Sequence, residues 1–499
     1  MSSVILFSAG RTNWSLSALF IGTLGLGFFI ANLDPFLLLW DEQYHALVAK
    51  SMLETPFEPK LYAKPLLEYD YRNWTGNSIW LHKQPLFLWP IALSLKFFGI
   101  KVLAVRLPSI VLHAVTVFFI YRIGKICLND RIGYFAALFF AFAYYPLELV
   151  AGRYSTDHND VAFLFYIAAS FWAWFEYSYS RKSKFLFLIG LFAGCAVLVK
   201  WLVGLLIYAC WVLSIGSAGF KAWLKIANYY PIFKSLLVSL IVFVPWQLYI
   251  LSAFPNEANF EFAFNTRHFF EQIESHGGSV WYHFEAFRLI YGSGTLVPFF
   301  YGAGLFLLIK TIQLKQFRVA ILSAIIINYG FYSAAATKMP SFSIIVSPFA
   351  FLSLACLVDW IISRIQQKIG RKVFLNFIQV LCLLTVSIFL LDLRKIQNYH
   401  TNWIPHDNCN REAELKQMEF IRKLKSTLGN EPFVVFDADV RMNGHIATMF
   451  FTNFIAYDLI PSEVQIESLR SMGYKIAIHD TGELPDYLAK DNRVIKISI

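Results

Sequence analysis

The sequence predicts an α-helical protein with many membrane spans that ends in a small soluble α/β domain, and three observations predict it. The 499 residues are 57% hydrophobic and only 15% charged, with a mean hydropathy of +0.52, too apolar for a soluble chain of this length. Apolar stretches long enough to cross a bilayer alternate with short loops in which lysine and arginine collect. From about residue 396 the pattern changes to short apolar strands between amphipathic helical stretches. A formal charge of +10 would suggest nucleic acid in a soluble protein, but here it sits in inter-span loops, as positive-inside orientation requires, so no nucleic-acid partner is expected. Cys127, Cys195, Cys210, Cys356 and Cys382 lie in or beside apolar segments and Cys409 in a polar one, which gives neither a disulfide framework nor CxxC metal spacing.

Taken in order, residues 1–14 read as a short tail and 16–33 as a first span, uncleaved because no small-residue cleavage site follows. Residues 34–84 form a polar, aromatic loop carrying Asp34, Asp41, Glu42, Glu54, Glu58, Glu68 and Asp70. Residues 86–98 are apolar but, at ~1.5 Å per residue, cover only about two-thirds of a ~30 Å hydrocarbon core, and read as an interfacial helix. With that helix omitted, spans are predicted at 102–121, 132–147, 161–177, 185–199, 201–215, 235–251, 295–308, 320–336, 342–360 and 373–391. The basic linkers then all fall on one side, which gives about eleven transmembrane helices, an inside N-terminus and an outside C-terminus. Residues 1–395 are thus expected to be the membrane domain, with long outer loops at 34–84 and 253–292. Residues 396–499 are expected to be an extracytoplasmic α/β domain, with a helix at 412–428 and strands at 433–436, 454–457, 475–479 and 494–497. The α/β part has no glycine-rich phosphate loop, and Asp437-Ala438-Asp439 after its first strand reads as a structural turn.

The densest chemistry lies in residues 39–86. The chain leaves the first span as Trp40-Asp41-Glu42-Gln43-Tyr44-His45-Ala46 and closes the loop with Trp80-Leu81-His82-Lys83-Gln84-Pro85. A carboxylate where a span meets water can accept a proton, and a lysine on the same loop can hold a phosphate oxygen, so Asp41, Glu42 and Lys83 are the leading candidates. Asp41 also fits a plain N-cap of a helix over 42–53, with Glu42 complementing the helix dipole. Tyr44 and Tyr62 in this loop, and His268 in the long outer loop, are candidates for contacting substrate. Four other outer places carry charge: the run from Arg153 with Asp157 and Asp160, a hairpin tip with Lys200, the long outer loop with Arg267 and His276, and another tip with Lys338. Either aspartate could cap the following helix, and either lysine could be a snorkelling anchor.

Asp41-Glu42-Gln43-Tyr44-His45-Ala46, Lys83-Gln84-Pro85-Leu86, Arg106-Leu107-Pro108, Asp157 opening a span, Lys200 after an apolar helix, and Lys338 before Pro340-Ser341-Phe342 form an ordered set. That set resembles the polyprenyl-phosphate-sugar-dependent glycosyltransferases of the GT-C fold, in particular the protein O-mannosyltransferases and the lipid A aminoarabinose transferases. The likeness covers roughly the first 360 residues, and it departs from the family where lysine-proline-proline is replaced by lysine-glutamine-proline and where Lys64-Pro65 offers a competing lysine. The resemblance implies a polyprenyl-phosphate-linked sugar as donor and a glycan, lipid or protein acceptor; no metal constellation and no further cofactor are evident in the sequence. It also implies inverting displacement at the outer face of a bacterial inner membrane. Asp41 would be the base, Glu42 its support, and Lys83, with Arg267, Lys338 or Lys200, would hold the leaving phosphate; Asp157 would position the acceptor. A multi-span lipid or sugar transporter, or an oligosaccharide ligase using a lipid diphosphate, are the other readings of the same sequence.

Overall fold

The computed structural model describes residues 1–369, 372–392, 411–429 and 431–498. Cys409 and the expected domain boundary at 395/396 lie outside them. The chain divides into two compact units.

The first unit, residues 1–30, 109–151 and 158–393, is helical. Among the described residues six helical segments are long and apolar enough to cross a membrane: Thr12–Ala31, Val102–Cys127, Lys184–Ala218, Tyr230–Ala253, Lys315–Ala334 and Pro340–Lys368. The pair Asp130–Ala141 and Tyr144–Val150, bent by 53°, makes a seventh if it crosses as one. The eleven predicted spans are all helical, but this count is smaller for physical reasons. Val297–Thr311 and Asn376–Leu391 are short, Asp157–Ser180 carries Asp157, Asp160 and Glu176, and 184–218 is one segment interrupted at Trp201, whose φ is 56°. The N-terminal stretch also differs from the expected tail: Ser2–Ser8 is a helix, and its Ser3 hydroxyl bonds the Ser15 carbonyl (2.8 Å) at the start of the next one.

Packing in this unit depends on small residues, because helices in lipid gain contact area by close approach rather than by hydrophobic exclusion. Gly190 and Gly194, four apart on Lys184–Lys200, face Tyr230–Ala253: a methyl group at Gly190 would stand 2.3 Å from the Ser235 carbonyl, and one at Gly194 2.7 Å from Val242 Cβ. The Ser239 hydroxyl donates to the Gly190 carbonyl (2.8 Å) across the same contact.

The second unit comprises residues 31–108, 152–157 and the described part of 394–499. Its sheet is wholly parallel, with strands β1 (Phe433–Phe436), β2 (Ile455–Ala456), β3 (Lys475–His479) and β4 (Val494–Ile497) in the order β2-β1-β3-β4. Three strands fall where the apolar runs predict them; β2 is two residues shorter than its run. Helices Arg411–Leu428, Gly444–Phe451 and Glu463–Ser471 alternate with the strands, the last opened by a Ser462/Gln465 capping box. From the first loop come Asp41–Ser51 and Leu88–Phe98, the latter the short helix that the sequence withholds from the span count.

Candidate functional site

Asp41–Ser51 begins the site. Its N-cap is Trp40, with no side-chain cap bond, so Asp41 is not the cap. Trp40 instead turns with φ 70°, in the left-handed region that costs a bulky residue, and this turn delivers Asp41 at the first helical position. Thr156, with φ 71°, makes a matching turn in the 152–157 segment. Its backbone N–H donates to Asp41 Oδ2 at 2.7 Å.

The other oxygen, Oδ1, faces cations and a ring: Lys83 Nζ at 3.9 Å and His45 Nε2, one helical turn on, at 3.8 Å. Lys83 Nζ also donates to His82 Nε2 at 3.3 Å, and the His82 ring lies flat on Trp74 (4.6 Å, 8°). Asp41 is 9% exposed. Burial alone would raise its carboxyl pKa, but the Lys83 ammonium and the Thr156 N–H, together with the His45 and His82 rings whenever these carry a proton, outweigh burial and lower it to about 2. Asp41 is therefore a carboxylate at any working pH, with one oxygen tied and the other turned to Lys83.

Glu42 points elsewhere. Arg106 donates to it twice, Nε to Oε1 at 2.6 Å and Nη2 to Oε2 at 2.9 Å, and both side chains are fully buried. The remaining Arg106 donors reach the carbonyls of Ala31 (2.7 Å), Asp34 (3.0 Å) and Phe36 (2.9 Å), and the Leu38 N–H donates to Glu42 Oε2 at 2.7 Å. Through these bonds Glu42 braces the strand of loop that leads into Trp40. Gly152 is required beside it, since a Cβ there would stand 2.3 Å from Glu42 Cδ. Below this pair the buried Asp34 accepts from Arg153 Nε at 2.9 Å and pairs with Arg411.

Asp157 belongs to the same unit, and its Oδ1 accepts from His45 Nδ1 at 2.9 Å. Tyr44 is fully buried against Trp74. Tyr62 stacks on Tyr457 (5.2 Å, 12°) and donates to the Ala456 carbonyl at 3.3 Å. It also lines a cleft of about 240 Å³, with Glu68, Asp70, Asn73, His445 and Asp458. No metal constellation is expected from the sequence, yet Asp439, His445 and Asp458 each bring one ligand atom within 4.8 Å of the others. Asp439 Oδ1 also accepts from the His445 backbone N–H (2.6 Å) and ring Nδ1 (2.8 Å) at the start of Gly444–Phe451, the structural turn the sequence suggests.

The other predicted residues belong to the first unit. Lys200 pairs with Asp160 and lies over the Phe342 ring (4.4 Å), so Asp160 serves an ion pair. Lys338 is buried, and its ammonium donates to the carbonyls of Ser333 (2.9 Å), Tyr332 (3.4 Å) and Ala335, which closes the end of Lys315–Ala334. Arg267 is exposed and paired with Glu271 at 2.7 Å; His268 meets the Phe264 ring at 5.1 Å. The sequence reading missed His45, the Thr156 N–H and the destination of Arg106. A signal existed only for His45, which stands four residues after Asp41 and so shares its helix face.

Residues 82–249 match the family model of the dolichyl-phosphate-mannose-protein mannosyltransferases. An uncharacterised protein of Aquifex aeolicus is 28% identical over 174 residues, 34% of this chain and 31% of that protein; the match spans about a third of the length of this curated relative. The ArnT structure from Cupriavidus metallidurans bound to undecaprenyl phosphate superposes with a TM-score of 0.63 at 14% identity, over 92% of this chain and 88% of that one. The Archaeoglobus fulgidus oligosaccharyltransferase tethered to an acceptor peptide superposes with a TM-score of 0.54 at 10% identity, over 90% and 64%. The chain therefore has the GT-C fold of membrane glycosyltransferases and is a multi-pass membrane protein.

Proposed function

We propose that this GT-C-fold chain is a membrane glycosyltransferase that moves a sugar from a polyprenyl-phosphate donor to an acceptor hydroxyl or phosphate. The observation that carries this reading is the Asp41 carboxylate, buried and ionised, with Oδ1 turned toward the Lys83 ammonium at 3.9 Å. The shared fold and the family match over residues 82–249 support it. ArnT was crystallised with undecaprenyl phosphate, and a lipid of that chemistry suits a lone ammonium beside a carboxylate.

In the proposed reaction the acceptor oxygen attacks the anomeric carbon as the bond from that carbon to the phosphate oxygen breaks. The electron pair leaves with the lipid phosphate, and the acceptor's proton passes to Asp41. A sugar phosphate already has a good leaving group, so one carboxylate opposite it suffices where a glycosidase needs two. Lys83 neutralises the charge that grows on the departing phosphate, most effectively where water is scarce. The ammonium groups of Lys200 and Lys338 are already engaged, and Arg267 is paired with Glu271, which favours Lys83. Asp157 enters through His45, and Tyr62, which lines the cleft with Glu68 and Asp70, meets the acceptor. A single displacement inverts the anomeric carbon. The loop at 34–84 and the α/β part at 396–499 are placed outside, on the periplasmic face of an inner membrane, because the basic linkers all fall on the opposite side.

Purified protein supplied with polyprenyl-monophosphate sugars and a mixture of envelope glycans, lipid A and peptides should give transfer. Asp41→Asn should lower transfer by ~100-fold or more while undecaprenyl phosphate still binds. Parental transfer by folded Asp41→Asn, or transfer from lipid-diphosphate sugars alone, would overturn the assignment.

A further inference from the structure

Asp41 makes an awkward base. Held as a carboxylate by Lys83 and the Thr156 N–H, it binds a proton weakly, and the acceptor's proton needs a better resting place than Asp41 alone offers. His45 supplies one. Its ring is completely buried between the edges of Phe87 (4.7 Å) and Trp80 (5.9 Å), which fix its plane. Nδ1 lies 2.9 Å from Asp157 Oδ1. An ionised carboxylate only accepts, so Nδ1 carries the hydrogen, and in the neutral ring Nε2 is left with a lone pair. That nitrogen is buried, makes no hydrogen bond, and faces Asp41 Oδ1 at 3.8 Å. Two acceptors therefore confront each other across a gap that lacks one proton.

We propose that His45 is a positioning residue that completes Asp41 as a base: anchored by Asp157, it receives through Nε2 the proton that Asp41 takes from the acceptor. The inference rests on the transferase reading above. In the step, the acceptor O–H proton moves to Asp41 as the acceptor oxygen bonds to the anomeric carbon and the lipid phosphate departs with the electron pair. The proton is then shared with His45 Nε2, giving an imidazolium between the Asp41 and Asp157 carboxylates, and it returns to water as products leave. The orienting logic is that of a nucleophile's histidine held by a buried aspartate, with Asp41 in place of the hydroxyl. The charged and titratable groups around the ring are Asp41 on its own helix, Asp157 from the 152–157 segment, and His82 and Lys83 from the end of the loop.

The gap works only when empty, so a proton already on His45 blocks the step. His45→Gln should lose about 100-fold in kcat, with KM for the donor little changed. His45→Phe fills the same space between Phe87 and Trp80 and should fold and fail alike. A second readout needs no turnover: in protein labelled with ¹⁵N-histidine, the signal that His45→Gln removes should report the Nδ1–H tautomer, and Asp157→Asn should scramble it. Parental kcat in His45→Gln, or an Nε2–H tautomer in the parent, would overturn the proposal. If the parent transfers no sugar, the transferase reading fails instead, and the nitrogen spectrum still decides whether the Asp157–His45–Asp41 arrangement exists.

Discussion

Removing the Glu42 side chain would leave Arg106, which is completely buried, with three carbonyls and, for counter-charge, only Asp34, which already pairs with Arg153 and Arg411. Glu42→Ala deletes two charge-assisted hydrogen bonds of 2.6 and 2.9 Å and orphans the Leu38 N–H, which donates to the same carboxylate at 2.7 Å. Breaking a buried pair by one partner costs ~3–5 kcal/mol, because the remaining charge stays desolvated. In a folding unit of 150–250 residues each kcal/mol moves the midpoint by about 2–4 °C, so a drop on the order of 10 °C is expected. Glu42→Gln should fare little better, since its amide NH₂ would face an Arg106 N–H in either orientation, and the Leu38 N–H as well in one of them, donor against donor. Thermal unfolding in detergent, followed by intrinsic tryptophan fluorescence, measures the shift. The double variant Glu42→Met with Arg106→Met should recover much of the loss, as apolar side chains of similar length remove the stranded charge. If Glu42→Ala unfolds at the parental temperature yet loses transfer, Glu42 acts in the chemistry and the bracing role argued here is wrong.

Lys83→Ala should weaken binding of undecaprenyl phosphate and slow transfer, and Lys83→Arg should keep part of both, whereas Lys64→Ala, at an exposed position, should behave as the parent in a lipid-binding titration. Asp41's folded carboxyl lies at about 2 against an ordinary 3.8, so it adds about 2 kcal/mol of stability above pH ~4 that disappears as pH falls toward 2; unfolding midpoints of Asp41→Asn should depend less on pH in that window. For the same reason no limb from Asp41 itself appears in a rate profile at pH 5–9, contrary to the simplest expectation for a carboxylate base. Lys50 Nζ donates to the carbonyls of Met449 (2.8 Å), Phe450 (3.0 Å) and Thr452 at the end of Gly444–Phe451; Lys50→Met should lower the midpoint by several degrees and speed proteolysis of the C-terminal part, and Lys50→Arg should do so less.

Some of this protein is written in local pattern and some is not. Apolar runs determine the spans, the short helix at 88–98 and three of the four strands, because burial in lipid or in a parallel sheet demands uninterrupted apolar sequence whatever the neighbours are. The pairing Asp41-Glu42 with a lysine at the loop's end likewise singles out the candidate site, since adjacent carboxylates at a membrane edge are costly without a purpose. Which partners each carboxylate meets was decided by tertiary structure. Asp41 and Glu42 are neighbours in sequence, but successive helix positions point about 100° apart. One therefore meets Lys83, His45 and the Thr156 N–H, and the other Arg106. Thr156 and Asp157 lie more than a hundred residues along the chain, and no periodicity reports such a distance. The lysines show the same division: Lys83, Lys200 and Lys338 are alike as sequence, a cation at an apolar edge. Only the fold gave Lys200 an aspartate and Lys338 three carbonyls, and set Lys83 beside the carboxylate of Asp41.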